Sequence, residues 1–343
     1  MRRPRGFQQR GERRIAAALR IALAAALLAV QVLFVVLTTR YLKDHFALIY
    51  GALAVCITKQ AGLLNMATES MMLSGALCGV LASGYTQSLV LGVLGGMVGG
   101  ILIGLLISYA AFVCKTDLWM TCIAVNTALV GGTILVMYMI TGQKTNTLGY
   151  IPSLVMPAVE IPLIKDIPVL GEIVSGHNII TYLSFLAVFV IWYLLFRTPL
   201  GLRIRSVGEN PDAAKSVGVN VYKTKSIALT IAGVLSGMGG VYMSMGYVSW
   251  FAKDLTAGRG WIGIAAAAMS CQHPVGAAVA SIFFGVADAT ANTLQTINLP
   301  SQLVLMIPYV VTLLAMCVYA YYRLQKKKMQ ARAKTAAVKA QAQ

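Results

Sequence analysis

Apolar residues in this chain come in long runs divided by short polar interruptions. Ile15–Thr38 is one such run of 24 residues, and Phe46–Thr58 is a shorter one that stops at Lys59-Gln60-Ala61-Gly62. Met71–Gly84, Ser88–Cys114 and Leu118–Thr141 follow. The stretch 142–178 has prolines at 152, 157, 162 and 168, too closely spaced for one continuous helix. Asn178–Phe196, Ser226–Val248, Gly276–Leu294 and Leu303–Tyr322 are apolar again, with an interrupted region around Thr256–Pro274. A helix of about 20 apolar residues crosses a bilayer core. The pattern therefore predicts an all-α, polytopic integral membrane protein with about ten crossings. Two of these crossings are broken, and inverted repeats are expected.

Composition supports this. The chain has 343 residues, 58% hydrophobic and 11% charged, whereas soluble domains are about 45–50% apolar and about 25% charged. A soluble enzyme, a disordered tail protein and a fibrous protein are excluded. Gly92, Gly96, Gly100 and Gly104 recur every fourth residue, with Gly95 and Gly99 beside them. At helical pitch they form a smooth stripe against which a neighbouring backbone can pack. Gly233 and Gly237 repeat the device in a later span. The six cysteines lie in apolar stretches without paired spacing and read as packing residues.

Charge orients the chain. The formal net charge is +17, and 19 of the 28 basic residues fall in 1–14, 197–225 and 323–343. Lys and Arg near helix ends mark the cytoplasmic face, so both termini and the 197–225 loop are expected inside. A shared side for both ends requires an even number of crossings. The 142–178 stretch is then the external loop, and 15–322 is a single transmembrane domain. No aromatic residues interleave with the basic runs, so attraction to anionic lipid headgroups accounts for them better than nucleic acid does. The first apolar run exceeds the 7–15 residues or so of a signal-peptide core and reads as an anchor helix.

Polar groups at membrane depth are the functional candidates. Asn65 and Glu69 sit at the first break, where Glu69 either gates a pathway or caps a half-helix N-terminus. Asn126 lies mid-span. Asp288 and Asn292 are one turn apart on one helix face, facing either a pore or a neighbouring helix. Arg259, flanked by Gly258 and Gly260, reads as an anchor of the second broken region rather than a ligand for a solute. No nucleophile–base pair stands out, and the three histidines are predicted at span ends, so neither catalysis nor metal chemistry is expected.

The loop Gly201–Gly218 is the most informative segment. Asn210 is a good N-cap, Pro211 fits the first helical position and Asp212 suits the positive end of the dipole. Gly218 is a natural stop. The expected product is a cytoplasmic helix of about two turns, either a solvated connector or an element that docks on a partner.

Asp212-Ala213-Ala214 followed by Gly218 resembles the Glu-Ala-Ala…Gly coupling motif of ABC-importer permeases. The longer string Gly208-Glu-Asn-Pro-Asp-Ala-Ala-Lys-Ser-Val-Gly-Val219 resembles the form found in permeases of the simple-sugar and nucleoside importers. Ile161-Pro-Leu-Ile-Lys-Asp-Ile-Pro-Val-Leu-Gly171 resembles that family's external loop. Thr256-Ala-Gly-Arg-Gly-Trp261 with His273-Pro-Val-Gly-Ala277 resembles its second broken region, and Asn65-Met-Ala-Thr-Glu69 its first. The chain departs at Ala67 and Ser70, where the family has glycines, and at Met71, where it has Gln. The resemblance covers roughly 45–320.

It implies a transport subunit, not an enzyme, in a bacterial cytoplasmic membrane. It also implies a second permease subunit of the same or a related chain, two ATPase subunits below and a substrate-binding protein outside. This chain is then expected to bind no cofactor, since ATP–Mg belongs to the partner. Glu209, Asn210, Pro211, Asp212, Ala213, Ala214 and Gly218 would form the coupling element, with Arg203 and Arg205 positioning it. The chain itself has no phosphate-binding Gly-x-x-x-x-Gly-Lys loop. A self-contained proton-coupled transporter using Glu69 and Asp288 is the alternative. It explains the broken helices but not the capped loop helix.

Overall fold

The computed structural model describes residues 46–159, 176–246 and 248–294, with single positions at 310, 313 and 317. Apart from those single positions, the expected spans Ile15–Thr38 and Leu303–Tyr322, the basic ends, and residues 160–175 of the expected external loop lie outside the described residues.

The described chain is almost wholly helical. The order is α1 Ala47–Gln60, α2 Thr68–Thr86, α3 Leu89–Phe112, α4 Leu118–Thr141, α5 Ile179–Arg197, α6 Pro199–Glu209, α7 Pro211–Ser216, α8 Val221–Met245, α9 Arg259–Met269 and α10 Pro274–Leu294. A two-stranded antiparallel ribbon, β1 Ala158–Val159 with β2 His177–Asn178, closes the ends of the loop between α4 and α5. Helix starts follow local capping chemistry. Asp117, Asn178 and Asn220 each accept a backbone N–H from the first turn of α4, α5 and α8.

Among the described residues, α3, α4, α5 and α8 are long and apolar enough to cross a membrane. Large apolar side chains of α3, α4 and α5, such as Leu94, Leu102, Ile123, Leu135 and Phe189, are exposed. Contiguous apolar surface on this scale is untenable in water, and lipid is its natural solvent. The chain is a multi-pass membrane protein. By contrast, α1 has 14 residues and α9 has 11. At about 1.5 Å per residue neither reaches across a core about 30 Å thick. They are the two broken spans, near 59–70 and 246–274.

The core is a bundle of α2, α3 and α8 fitted backbone to backbone. Gly75 faces Gly237, Gly96 faces the Gly75 carbonyl, Gly100 faces the Gly233 carbonyl, and Gly104 faces that of Leu229. A methyl group at any of these would collide with main chain, which cannot yield as a flexible side chain would. The glycine stripe is thus the contact face of α3. Helix α1 lies against α8 and is gripped on its other side by the α9–α10 hairpin, where Gly263 rests on the backbone of Gly51 and Ala52.

The structure also extends the sequence expectation. Residues 197–225 are not a loop bearing one helix: α6 follows α5 across a corner at Thr198, α7 follows α6 across Asn210, and α8 already begins at Val221. Pro199 and Pro211 each occupy a first helical turn, which explains both starts.

Gly100→Leu and Gly237→Leu should each lower the thermal unfolding midpoint in detergent by an amount corresponding to at least about 1–3 kcal/mol, the cost of overpacking. Gly131→Leu, at an α4 position open on every side, should leave it unchanged.

Candidate functional site

Helix α1 ends where Gly62 turns with φ +73, and the Leu63 N–H bonds to the Thr58 carbonyl at 2.9 Å. The chain then doubles back through buried Asn65, whose Oδ1 accepts the Ala67 N–H at 3.0 Å and starts α2. Asn126 on α4 clips the same break: its Oδ1 accepts the Ser70 N–H at 3.2 Å, and its Nδ2 donates to the Met66 carbonyl at 2.8 Å. Both amides serve the backbone that an interrupted helix leaves unpaired.

The second break is held by the loop that follows α4. The Thr147 N–H bonds to the Phe251 carbonyl at 2.9 Å, the Lys253 N–H to the Thr145 carbonyl at 2.9 Å, and the Phe251 N–H to Thr147 Oγ1 at 2.9 Å. From there the chain passes Asp254 (φ +56) and Ala257 (φ +44) to Gly258 (φ +80), where α9 starts.

Glu69 joins the two breaks. Its Oε1 accepts the Gly258 N–H at 2.9 Å and its Oε2 the Gly260 N–H at 2.6 Å. The carboxylate thereby caps α9 from another element, satisfying amides that α9 cannot, at the positive end of its dipole. Gly260 is required by space: a Cβ there would lie 2.6 Å from the backbone N and Cα of Glu69. Arg259, between the two glycines, points elsewhere and pairs with Asp288 of α10 at 3.6 Å. That pair joins the first turn of α9 to α10. Asn292 lies one turn further along α10, and its side chain lies outside the described residues.

Beside Glu69 a cleft of about 360 Å³ opens between α2, α4 and the second break. Its polar lining includes Ser70, Asn126, Asp254 and Thr256, and Trp261 forms part of the wall. Of the predicted pathway residues, the fold brings Glu69, Asn126 and Gly258 to this cleft. Asn65, Arg259, Gly260 and Asp288 stand behind it as supports. Asp254, Thr256 and Trp261 were not singled out from sequence, although Thr256 and Trp261 bound the motif quoted for the second break.

The segment expected to couple to a partner is built from local rules. Asn210 Oδ1 accepts the N–H groups of Asp212 and Ala213, both at 3.1 Å. Gly218 has φ +84 and its N–H bonds to the Lys215 carbonyl at 3.0 Å. The resulting α7 has six residues, somewhat shorter than the two turns expected. Ala214 is buried, while Pro211, Asp212, Ala213 and Gly218 are exposed, as are Arg203 and Glu209 on α6.

Helix α6 carries α7, touches the end of the first broken span and reaches the second through Phe196 of α5. Gly208 meets the Gln60 carbonyl and the Gly62 N–H so closely that no side chain fits. The Arg205 guanidinium lies 5.0 Å from the Phe196 ring centre, and Phe196 stacks on His273 at 5.3 Å, in the turn between α9 and α10. That turn is tied back to α1, since Gln60 Nε2 donates to the Gln272 carbonyl at 3.0 Å.

Interrupted helices interlocked around a polar cleft define a membrane transport subunit. The family described as "Branched-chain amino acid transport system / permease component" matches residues 37–316, and the chain belongs to it. It is similar to the guanosine ABC transporter permease protein NupQ of Bacillus subtilis, 34% identical over 78% of this chain and 87% of that one. It is also similar to the protein named "Putative glucose ABC transporter permease protein TsgC13" of Haloferax volcanii, 31% identical over 74% of this chain and 75% of that one. A third relative, the nucleoside ABC transporter permease protein NupC of Lactococcus lactis, is 35% identical over 46% of this chain and 52% of that one. The chain is thus an ABC transporter permease subunit, a transport component rather than an enzyme, and the self-contained proton-coupled alternative is set aside.

Glu69→Ala strips two amides of their acceptor at about 1–3 kcal/mol each. It should lower the detergent unfolding midpoint by several degrees, whereas Glu69→Gln, which keeps one acceptor, should lower it less.

Proposed function

We propose that this subunit forms half of the pore of an ATP-driven importer that moves a nucleoside or simple sugar into the cytoplasm. The names of its relatives support this solute class, and a pathway with few charges suits such a solute. About ten crossings complete the subunit, with both termini on the cytoplasmic side of a bacterial membrane. A second permease chain, identical or related, forms the other half of the pore. ATPase subunits holding ATP–Mg bind below, and a substrate-binding protein delivers the solute from outside. The basic ends rest on anionic lipid headgroups.

The observation that carries the reading is the geometry of α6 and α7. An isolated helix of six residues is unstable in water, yet α7 is capped at both ends and presents an exposed polar face. Such an element suits a groove on a partner. When the ATPase subunits close, α7 moves with them and α6 follows. Gly208 then pushes on the end of α1, and the Arg205–Phe196–His273 stack moves the α9–α10 turn. Both ends of the interlocked breaks receive the motion together, and the pore passes between inward- and outward-facing arrangements.

Ala214→Asp places a charge in the buried seat of α7. Gly218→Pro removes the N–H that closes it and forbids its positive φ. Both variants should insert normally and lose more than 90% of co-purifying ATPase. Normal ATPase recovery and ATP-driven uptake with either variant would remove the docking role.

A further inference from the structure

The cleft beside Glu69 has chemistry that narrows what it can hold. Its volume, about 360 Å³, falls within the range of small-molecule pockets, about 300–1,000 Å³. Thr256, one of its lining residues, is fully buried, and its Oγ1 has no hydrogen-bond partner among the described residues. A buried hydroxyl without a partner is costly, and a solute hydroxyl entering the cleft can supply the missing bond. Trp261, also in the lining, keeps 42% of its surface exposed. An indole held in this way offers a flat face to a ring.

The charge of the lining is one-sided. Glu69 and Asp254 both line the cleft, and the described lining contains no Lys, Arg or His. Of the basic residues beside the lining in sequence, Arg259 pairs with Asp288 on α10, and Lys253, next to Asp254, is exposed. An anionic solute in the cleft would meet two carboxylates among the lining residues and no basic one. Glu69 already spends both oxygens on backbone amides. Asp254 is exposed and therefore available to accept from a solute.

From these features we infer that the cleft is a binding station for an uncharged, hydroxyl-bearing ring, and that it rejects the phosphorylated form of the same solute. Thr256 pairs with one hydroxyl, Asp254 accepts from another and excludes phosphate, and Trp261 stacks on the ring. The ring belongs either to a nucleoside or to a free sugar. This inference rests on the importer reading above and assigns recognition within it to three residues of the second break.

The test uses the permease–ATPase complex purified without the external binding protein, so that solute must bind the pore itself. Equilibrium binding of radiolabelled guanosine, glucose, guanosine monophosphate and glucose 6-phosphate is measured on native protein, Thr256→Val, Trp261→Ala and Asp254→Asn. Asn tolerates the left-handed backbone at 254, and Val matches Thr in shape, so both keep the fold. ATP hydrolysis by each variant provides an independent check of assembly.

Guanosine or glucose should bind saturably, and the one that binds tells nucleoside from sugar. Thr256→Val should weaken that binding about threefold to tenfold, the range of one hydrogen bond. Trp261→Ala should weaken it about tenfold or more, as loss of a stacking partner does. The phosphorylated form of the solute that binds should bind at least about 100-fold more weakly than that solute, and Asp254→Asn should narrow that gap about tenfold. Equal binding by native protein, Thr256→Val and Trp261→Ala would overturn the inference, as would equal binding of that solute and its phosphate, or no saturable binding. ATP-driven uptake by native complex in vesicles, measured alongside with the binding protein present, separates the two failures. Uptake with unaltered binding in the variants sinks the three-residue assignment alone, whereas no uptake of either solute sinks the importer reading and the inference with it.

Discussion

A carboxylate that reaches from one broken span to the start of the other is the contact on which this subunit depends. Glu69 leaves α2 and meets the Gly258 and Gly260 amides at 2.9 and 2.6 Å. Without it α9 would begin inside the protein with unpaired donors, and a short helix so uncapped has little reason to persist. The bond is possible because Gly260 has no side chain, which lets α9 lie directly on the α2 backbone. Position and chemistry are therefore inseparable here: the group that stabilises the second break also forms part of the cleft wall.

The same economy of side chains recurs wherever force would have to pass. Gly75, Gly96, Gly100, Gly233 and Gly237 lock α2, α3 and α8 into one body, and Gly51 with Gly263 seats α9 against α1. Gly208 seats α6 against Gln60 and Gly62. Interfaces made of main chain have no rotamers to absorb a displacement, and close-packed interiors transmit strain rather than dissipate it. In the proposed coupling, movement at α7 reaches the cleft through α6, the end of α1, the reversal at Asn65, and Glu69.

Much of this was legible in the sequence, for reasons that differ by element. The long spans follow from composition over about 20 residues, and α7 from its own cap, proline and stop, all of them local. The first break showed itself because Asn65 and Glu69 are polar where a span should be apolar, and the α3 stripe because glycine recurs at helical pitch. The missing parts were those set by distant partners. Nothing near Gly208 reveals that it faces Gln60, nothing near Arg205 reveals its place on Phe196 and His273, and nothing in 145–147 reveals pairing with 251–253. Asp254, Thr256 and Trp261 escaped notice for a related reason: a hydroxyl or an indole becomes a site residue only when the fold leaves it unpartnered beside a cavity.

The central claim is that α6 and the end of α1 move as one solid joint. Its most direct test is the number of solute molecules imported per ATP hydrolysed by the reconstituted complex carrying Gly208→Ala, with Gly131→Ala as the matched control. The added methyl wedges α6 away from Gln60, so hydrolysis should continue while import per ATP falls at least about tenfold, and the control should match the native ratio. An unchanged ratio for Gly208→Ala would show that motion reaches the breaks by some other route, and the account would be wrong.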